Sequence, residues 1–194
     1  MISFAFVTSG KAYLISQTTL TNSIMRIKDS KEEVVEVNGT RAFISGNQGE
    51  TYRLRMELQE GVEYVRRVFK KEMNTRNIAN LFKNTIYDKI RTRMPYQVSG
   101  VFVGHDETGA MRLFHVDNYS AVNETHFVAT NYGIYFLYGL ADVFHKAEME
   151  HEEAIEFINH ALKALKERTA IDTRSWRLDV VKESLKVETQ YIEI

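Results

Sequence analysis

The sequence opens Met1-Ile2-Ser3-Phe4-Ala5-Phe6-Val7-Thr8-Ser9-Gly10-Lys11-Ala12-Tyr13-Leu14-Ile15-Ser16. Residues 2–7 and 12–16 are apolar runs of strand length joined across Thr8-Ser9-Gly10-Lys11, a spacing that predicts a hairpin. The first residues are therefore expected to lie inside a sheet, with the elements downstream packed around them.

Moving outward, short strands are expected at about residues 24–28, 33–37 and 40–45, the last two separated by Asn38-Gly39, the dipeptide best suited to a two-residue turn. The hydrophobic period then changes from two to about 3.6. Leu54, Leu58, Val62, Val65 and Phe69 stripe one helix, and Ile78, Leu81, Phe82, Ile86 and Ile90 stripe a second, with Thr75 placed to cap it. Both stripes read as core. Beyond Pro95, residues 96–104 and 110–117 flank the turn Asp106-Glu107-Thr108-Gly109, residues 126–130 form another strand, and the three together read as a second sheet. A helix over 133–144, a helix carrying Ile155, Ile158, Leu162 and Leu165, and strands over 175–181 and 187–194 complete the chain.

Strands, two helices, strands, two helices and strands in that order predict an α+β fold. Amphipathic helices must bury their stripes, so the expected form is a four-layer α/β/β/α sandwich, two stacked antiparallel sheets flanked by helices. At 194 residues with one proline and no low-complexity stretch, the chain reads as a single domain over 1–194.

Composition narrows the functional classes. The net charge is −1 with both signs interspersed, so no basic surface suited to a phosphate backbone is expected and nucleic acid is not an expected partner. The first positive charge is Lys11, the opening apolar run is too short for a secretory core, and no run is long enough to cross a bilayer. With no cysteine there is neither disulfide scaffold nor thiolate zinc site, which fits an intracellular protein. The Asn-x-Ser/Thr triplets at Asn38, Asn118 and Asn123 then read as chance.

Three constellations invite a chemical reading and each has a plainer one. His145, His151, Glu152, Glu153 and His160 lack the H-E-x-x-H spacing, and His151-Glu152-Glu153 suits the acidic first turn of a helix. Ser45-Gly46-Asn47-Gln48-Gly49 joins a strand to a helix but lacks a Walker lysine and the third dinucleotide glycine. Arg66-Arg67 and Lys70-Lys71 lie on the polar side of the first helix and read as a solvated face. No cofactor or metal is expected.

A strand at the extreme start, its hairpin, a Ser-Gly-x-x-Gly turn opening a long helix and two later helices together resemble the beta-type subunits of the 20S proteasome, which have the Ntn-hydrolase fold. The likeness spans almost the whole chain. It is sharpest at Ile90-Arg91-Thr92-Arg93-Met94-Pro95-Tyr96, at Thr130-Asn131-Tyr132-Gly133 and across the last helix, where it is most like the subunit at the fourth beta-ring position.

The resemblance implies a site and its loss. Active members use an N-terminal threonine, freed from a propeptide, whose hydroxyl attacks the scissile carbonyl while its amine serves as base. Here Met1 fills that position, followed by Ile2, with no propeptide expected. An ungapped alignment puts Gln17 at the catalytic aspartate and Glu33 at the lysine, although a two-residue shift would bring Lys31 there instead. An acid at Glu33 would raise the pKa of a neighbouring amine or hydroxyl. Tyr132 stands at a supporting serine, Asp172 and Ser175 keep the spacing of the other supporting pair, and Gly46 matches the oxyanion glycine, whose plainer role is a tight turn.

The expectation is thus a vestigial pocket with no catalytic residue, in a non-catalytic structural subunit of the core particle. Its implied partners are neighbouring beta subunits, the opposite beta ring and the alpha ring of a 28-subunit particle that degrades ubiquitin-tagged proteins in cytoplasm and nucleus. Two alternatives share the fold. One is a hydrolase trimmed to expose Ser3; the other is an alpha-ring subunit, which would carry an N-terminal extension. The tail Gln190-Tyr191-Ile192-Glu193-Ile194 is expected to be an edge strand or a docking arm.

Overall fold

The computed structural model describes residues 1–22, 25–29, 34–171, 173–182 and 186–193. Its contacts divide the chain into two compact units, one from Met1–Glu33 with His126–Ile194 and one from Val34–Thr125.

The first unit is built on the opening hairpin. Strands β1 (Ser3–Thr8) and β2 (Lys11–Gln17) pair around Ser9-Gly10, Gly10 taking the positive φ of 87° that the tight turn needs. A short ribbon, β3 (Thr19–Asn22) with β4 (Met25–Asp29), follows. Later come β10 (Phe127–Ala129), β11 (Ser175–Lys182) and β12 (Val187–Glu193), giving a five-stranded antiparallel sheet in the order β10-β1-β2-β11-β12.

Helices α3 (Gly133–Phe144) and α4 (His151–Arg168) belong to the same unit. Alternate residues Phe4, Phe6, Tyr13, Ile15, Trp176 and Leu178 form one buried cluster with Leu137, Phe157, Ile158, Leu162 and Leu165 of the helices. Trp176 is fully buried; its indole N–H donates to the Thr173 carbonyl at 2.5 Å and Phe4 meets its ring edge-on at 6.3 Å, so both its apolar body and its polar atom are satisfied. A capping box between Glu150 and Glu153 starts α4, and Glu152 and Glu153 sit in its acidic first turn as expected.

In the second unit β5 (Val34–Val37), β6 (Thr40–Gly46), β7 (Val98–His105), β8 (Met111–Val116) and β9 (Val122–Glu124) lie in chain order in one antiparallel sheet. Asn38 and Gly39 make the β5–β6 turn with φ of 47° and 75°, both in the left-handed region that selected this dipeptide. Helices α1 (Gln48–Phe69) and α2 (Thr75–Ile90) bury Leu54, Leu58, Ile78, Phe82 and Ile86 with Ala42, Ile44, Phe102 and Phe114.

Four expectations change. The strand near 126–130 does not join the second sheet: β10 pairs with β1, Phe4 opposite Ala129, because its polar-free Phe-Val-Ala suits a position buried beside the first strand. Strands β3 and β9, short and without an alternating apolar pattern, were not expected. The cap of α2 is Asn74, whose side chain accepts the Asn77 N–H at 2.9 Å, while the Thr75 hydroxyl meets that of Thr40 at 3.0 Å. The stripe of α1 is core only as far as Val62; Phe69 is 59% exposed and lies edge-on to Tyr64.

Candidate functional site

The first three residues are held by side chains of β2 and of the turn that follows β10. Asn131 donates to the Met1 carbonyl from the turn after β10. The Ile2 N–H donates to Gln17 Oε1 at 3.0 Å, and the Gln17 N–H returns to the Ile2 carbonyl at 2.9 Å. Gln17 is fully buried, so its amide does the work of a backbone partner and completes the ladder between β1 and β2.

On the other side of β1, Thr130 takes over. Its Oγ1 accepts the Ser3 N–H at 3.0 Å and lies 2.9 Å from the Ser3 hydroxyl and 3.2 Å from the Ser3 carbonyl, to which the Thr130 N–H also donates at 2.8 Å. Donation of the Thr130 hydroxyl to that carbonyl leaves the Ser3 O–H as donor to Thr130 Oγ1. Ser3 is fully buried and its hydroxyl is committed to this contact.

Of the residues that the sequence grouped into one pocket, the first unit brings Gln17 against Ile2, the residue that follows Met1. Tyr132 does not join them: it is 59% exposed and leads into α3 without a side-chain cap. Thr130 and Asn131 of the same tetrapeptide supply the contacts instead, and Asn131 can do so because it adopts a φ of 53°, tolerated by asparagine, at the turn into α3. The motif was visible in the sequence; which of its members faced the strand was not. Ser175 opens β11 and offers its carbonyl to the Thr18 N–H and hydroxyl at 3.1 and 3.2 Å, a backbone role. Glu33 and Asp172, with Lys31, lie outside the described residues.

Gly46 belongs to the second unit. Its φ is 146° and a Cβ there would sit 2.2 Å from the Gln97 carbonyl oxygen, so both backbone and space require glycine. Gly46 ends β6 opposite Val98, and what requires glycine there is this close approach and its φ. The following helix start is closed by its own chain: Asn47 Oδ1 accepts the Gly49 N–H at 3.1 Å and the Asn47 carbonyl accepts the Thr51 N–H at 2.8 Å.

His145, His151 and His160 each have a separate partner. His145 Nε2 bonds the Val7 carbonyl at 3.1 Å, and burial holds its pKa below the ordinary value. His151 Nδ1 meets the Tyr13 hydroxyl at 3.0 Å. Burial, with Glu152 and Glu150 nearby, pushes that phenol up to about 12, so Tyr13 keeps its proton. His160 stacks on Phe144 at 5.2 Å. Among the described residues no trio of His, Cys, Asp or Glu side chains converges on a point where a metal ion could sit. Arg66 and Arg67 both turn back to Glu63, at 2.8 and 2.5 Å, and draw its carboxyl down to about 2, as on a solvated face.

The comparisons with known proteins agree on one family. The model of the proteasome subunit family matches residues 2–181. The chain belongs to that family. Its relatives place it on the beta side. It is 25% identical over 187 residues to a protein named proteasome subunit beta type-2 from Dictyostelium discoideum, covering 94% of each chain. It is 23% identical to a probable proteasome subunit beta type-4 from Encephalitozoon cuniculi, covering 88% of this chain and 86% of the relative, and 27% identical to one from Meyerozyma guilliermondii, covering 86% and 88%. This beta-type proteasome subunit therefore has the expected α+β sandwich class, to which each unit contributes a five-stranded sheet and two helices.

Proposed function

We propose that this proteasome subunit is a non-catalytic, structural member of the beta ring. The observation that carries the reading is the residue two places before β1. Met1 offers a thioether, which has no proton to give up and cannot act as a hydroxyl nucleophile, whatever precedes it in the chain. Its surroundings point the same way: the following N–H is engaged by the neutral amide of Gln17, where active relatives place a carboxylate, and the Met1 carbonyl is held by Asn131. On this reading Met1, Gln17, Gly46, Tyr132 and Ser175, with Glu33 and Asp172, are the remnant of a catalytic pocket, and peptide cleavage belongs to other subunits.

The work of such a subunit is placement. Helix α3 has few charges yet leaves Ile134, Tyr135, Val143 and Phe144 exposed, and β12 is the outermost strand of its sheet among the described residues, features that suit a chain covered by neighbours. The partners would be beta neighbours, the opposite beta ring and the alpha ring of a 28-subunit particle in cytoplasm and nucleus. The likeness at residues 90–96 and 130–133 and the relatives named beta type-4 support the fourth ring position, beside others named beta type-2. The chain would act there as one domain, since the second unit lies in sequence between the two segments that make the first.

The competing hydrolase reading needs Ser3 at a free end with an accessible hydroxyl. Ser3 is instead buried and bonded to Thr130 through its N–H, carbonyl and hydroxyl, which disfavours it. The test is to purify the particle through a tag on this chain, treat it with a threonine-directed electrophile and weigh every subunit. Labelling is expected on other beta subunits and absent here. A covalent adduct on this chain, or a mature form beginning at Ser3, overturns the proposal.

A further inference from the structure

We propose that Asn38 is a site of spontaneous, fold-gated deamidation, and that its product releases a latch between the β5–β6 turn and the segment entering α2. The sequence contains one Asn-Gly pair, Asn38-Gly39, at the tip of that hairpin. Three features of the site bear on its chemistry. Gly39 has no Cβ to hinder approach to its backbone nitrogen. That nitrogen has no hydrogen-bond partner among the described residues. Asn38 is exposed, so water reaches the amide.

The reaction needs no enzyme and no reagent but water. The Gly39 backbone nitrogen, losing its proton to solvent base, attacks the Asn38 side-chain carbonyl carbon. A new C–N bond closes a five-membered succinimide as the Cγ–Nδ2 bond breaks and the nitrogen leaves, protonated, as ammonia. Water then opens either imide carbonyl, giving aspartate or, when the chain continues through the side chain, isoaspartate.

The fold holds this reaction back. Asn38 Nδ2 donates to the Met73 carbonyl at 2.7 Å, which ties the side-chain amide to the α1–α2 connection. Closure requires that bond to open and the left-handed turn, with φ of 47° and 75°, to rotate. The rate therefore follows the open fraction of the hairpin. A chain that spends longer partly unfolded accumulates the change faster.

The product cannot re-form the latch. Either carboxylate lacks the N–H that the Met73 carbonyl accepts and sets a negative charge against that oxygen. Isoaspartate also adds a backbone carbon to a two-residue turn whose length fixes the pairing of Val37 with Thr40. Asn74, the cap of α2, directly follows Met73, so the disturbance falls on the start of that helix.

The experiment incubates the full-length chain in mildly alkaline buffer, with and without sub-denaturing urea, and maps peptides by mass over time. In both conditions the mass gain of an amide-to-acid change is expected at Asn38 ahead of every other asparagine, including Asn22 before Ser23 and Asn159 before His160, and faster with urea. In parallel, Asn38→Asp, which keeps a residue type tolerant of the left-handed turn, is expected to lower the urea midpoint. No conversion at Asn38, prior conversion elsewhere, or a rate indifferent to urea overturns the site or its gating. An Asn38→Asp midpoint equal to that of the parent overturns the latch.

Discussion

Replacing Thr130 by valine tests the assignment of Ser3 to structure, because valine keeps the shape of the side chain and deletes only the hydroxyl. Two buried donors then lose their acceptor: the Ser3 N–H at 3.0 Å and the Ser3 O–H at 2.9 Å. A buried donor left unpaired costs about 1–3 kcal/mol, and the serine hydroxyl can rotate in search of another acceptor, so a total of about 2–4 kcal/mol is expected. Ser3→Ala removes one hydroxyl contact and leaves Thr130 bonded to the Ser3 backbone, for about 1 kcal/mol. The two sites touch, so the double variant should lose less than the sum, with a coupling of about 1 kcal/mol. In urea unfolding, with a slope of about 2 kcal/mol per molar, Thr130→Val should lower the midpoint by about 1–2 M. A midpoint unchanged within about 0.3 M, or additive losses, would refute the shared contact. Loss of a peptidase activity in Ser3→Ala without loss of stability would restore the hydrolase reading.

Further outcomes follow from the same structure. Gly46→Ala forces a Cβ to within 2.2 Å of the Gln97 carbonyl at a φ of 146°, and should reduce soluble yield or stability by more than about 3 kcal/mol in chemical denaturation. Burial lowers the pKa of both His115 and His145 below 6.5, so between the ordinary and the lowered values the unfolded chain binds more protons. Stability should accordingly fall as pH drops below about 6.5, measured by urea midpoints from pH 7.5 to 5, and a flat or rising profile would contradict the neutral buried imidazoles. Met1→Thr in the assembled particle should leave every peptidase activity unchanged, since Gln17 still engages the next N–H; a new threonine-type activity would count against the loss of the site. Truncation before Gln190 removes half of β12 and should impair incorporation into the particle on native gels.

The sequence by itself determined most of the elements, because those elements are written in local periodicity. The opening hairpin, the Asn38-Gly39 turn, the helix over 133–144 and the acidic start of α4 all depend on neighbours within a few residues, and each forms where the pattern placed it. The absence of a hydroxyl at position 1 is likewise a matter of composition, legible without coordinates. Tertiary structure decided what periodicity does not encode. That β10 sits beside β1, that Thr130 and Asn131 rather than Tyr132 grip the first residues, and that Gln17 substitutes for a backbone acceptor are pairings between segments more than a hundred residues apart or across two strands. The same holds for Phe69, whose place in the stripe of α1 matched that of Leu58 but which lies exposed at the end of the helix. A side chain's type and spacing state what it can bury or bond; only the packed chain supplies the surface or the acceptor that it meets.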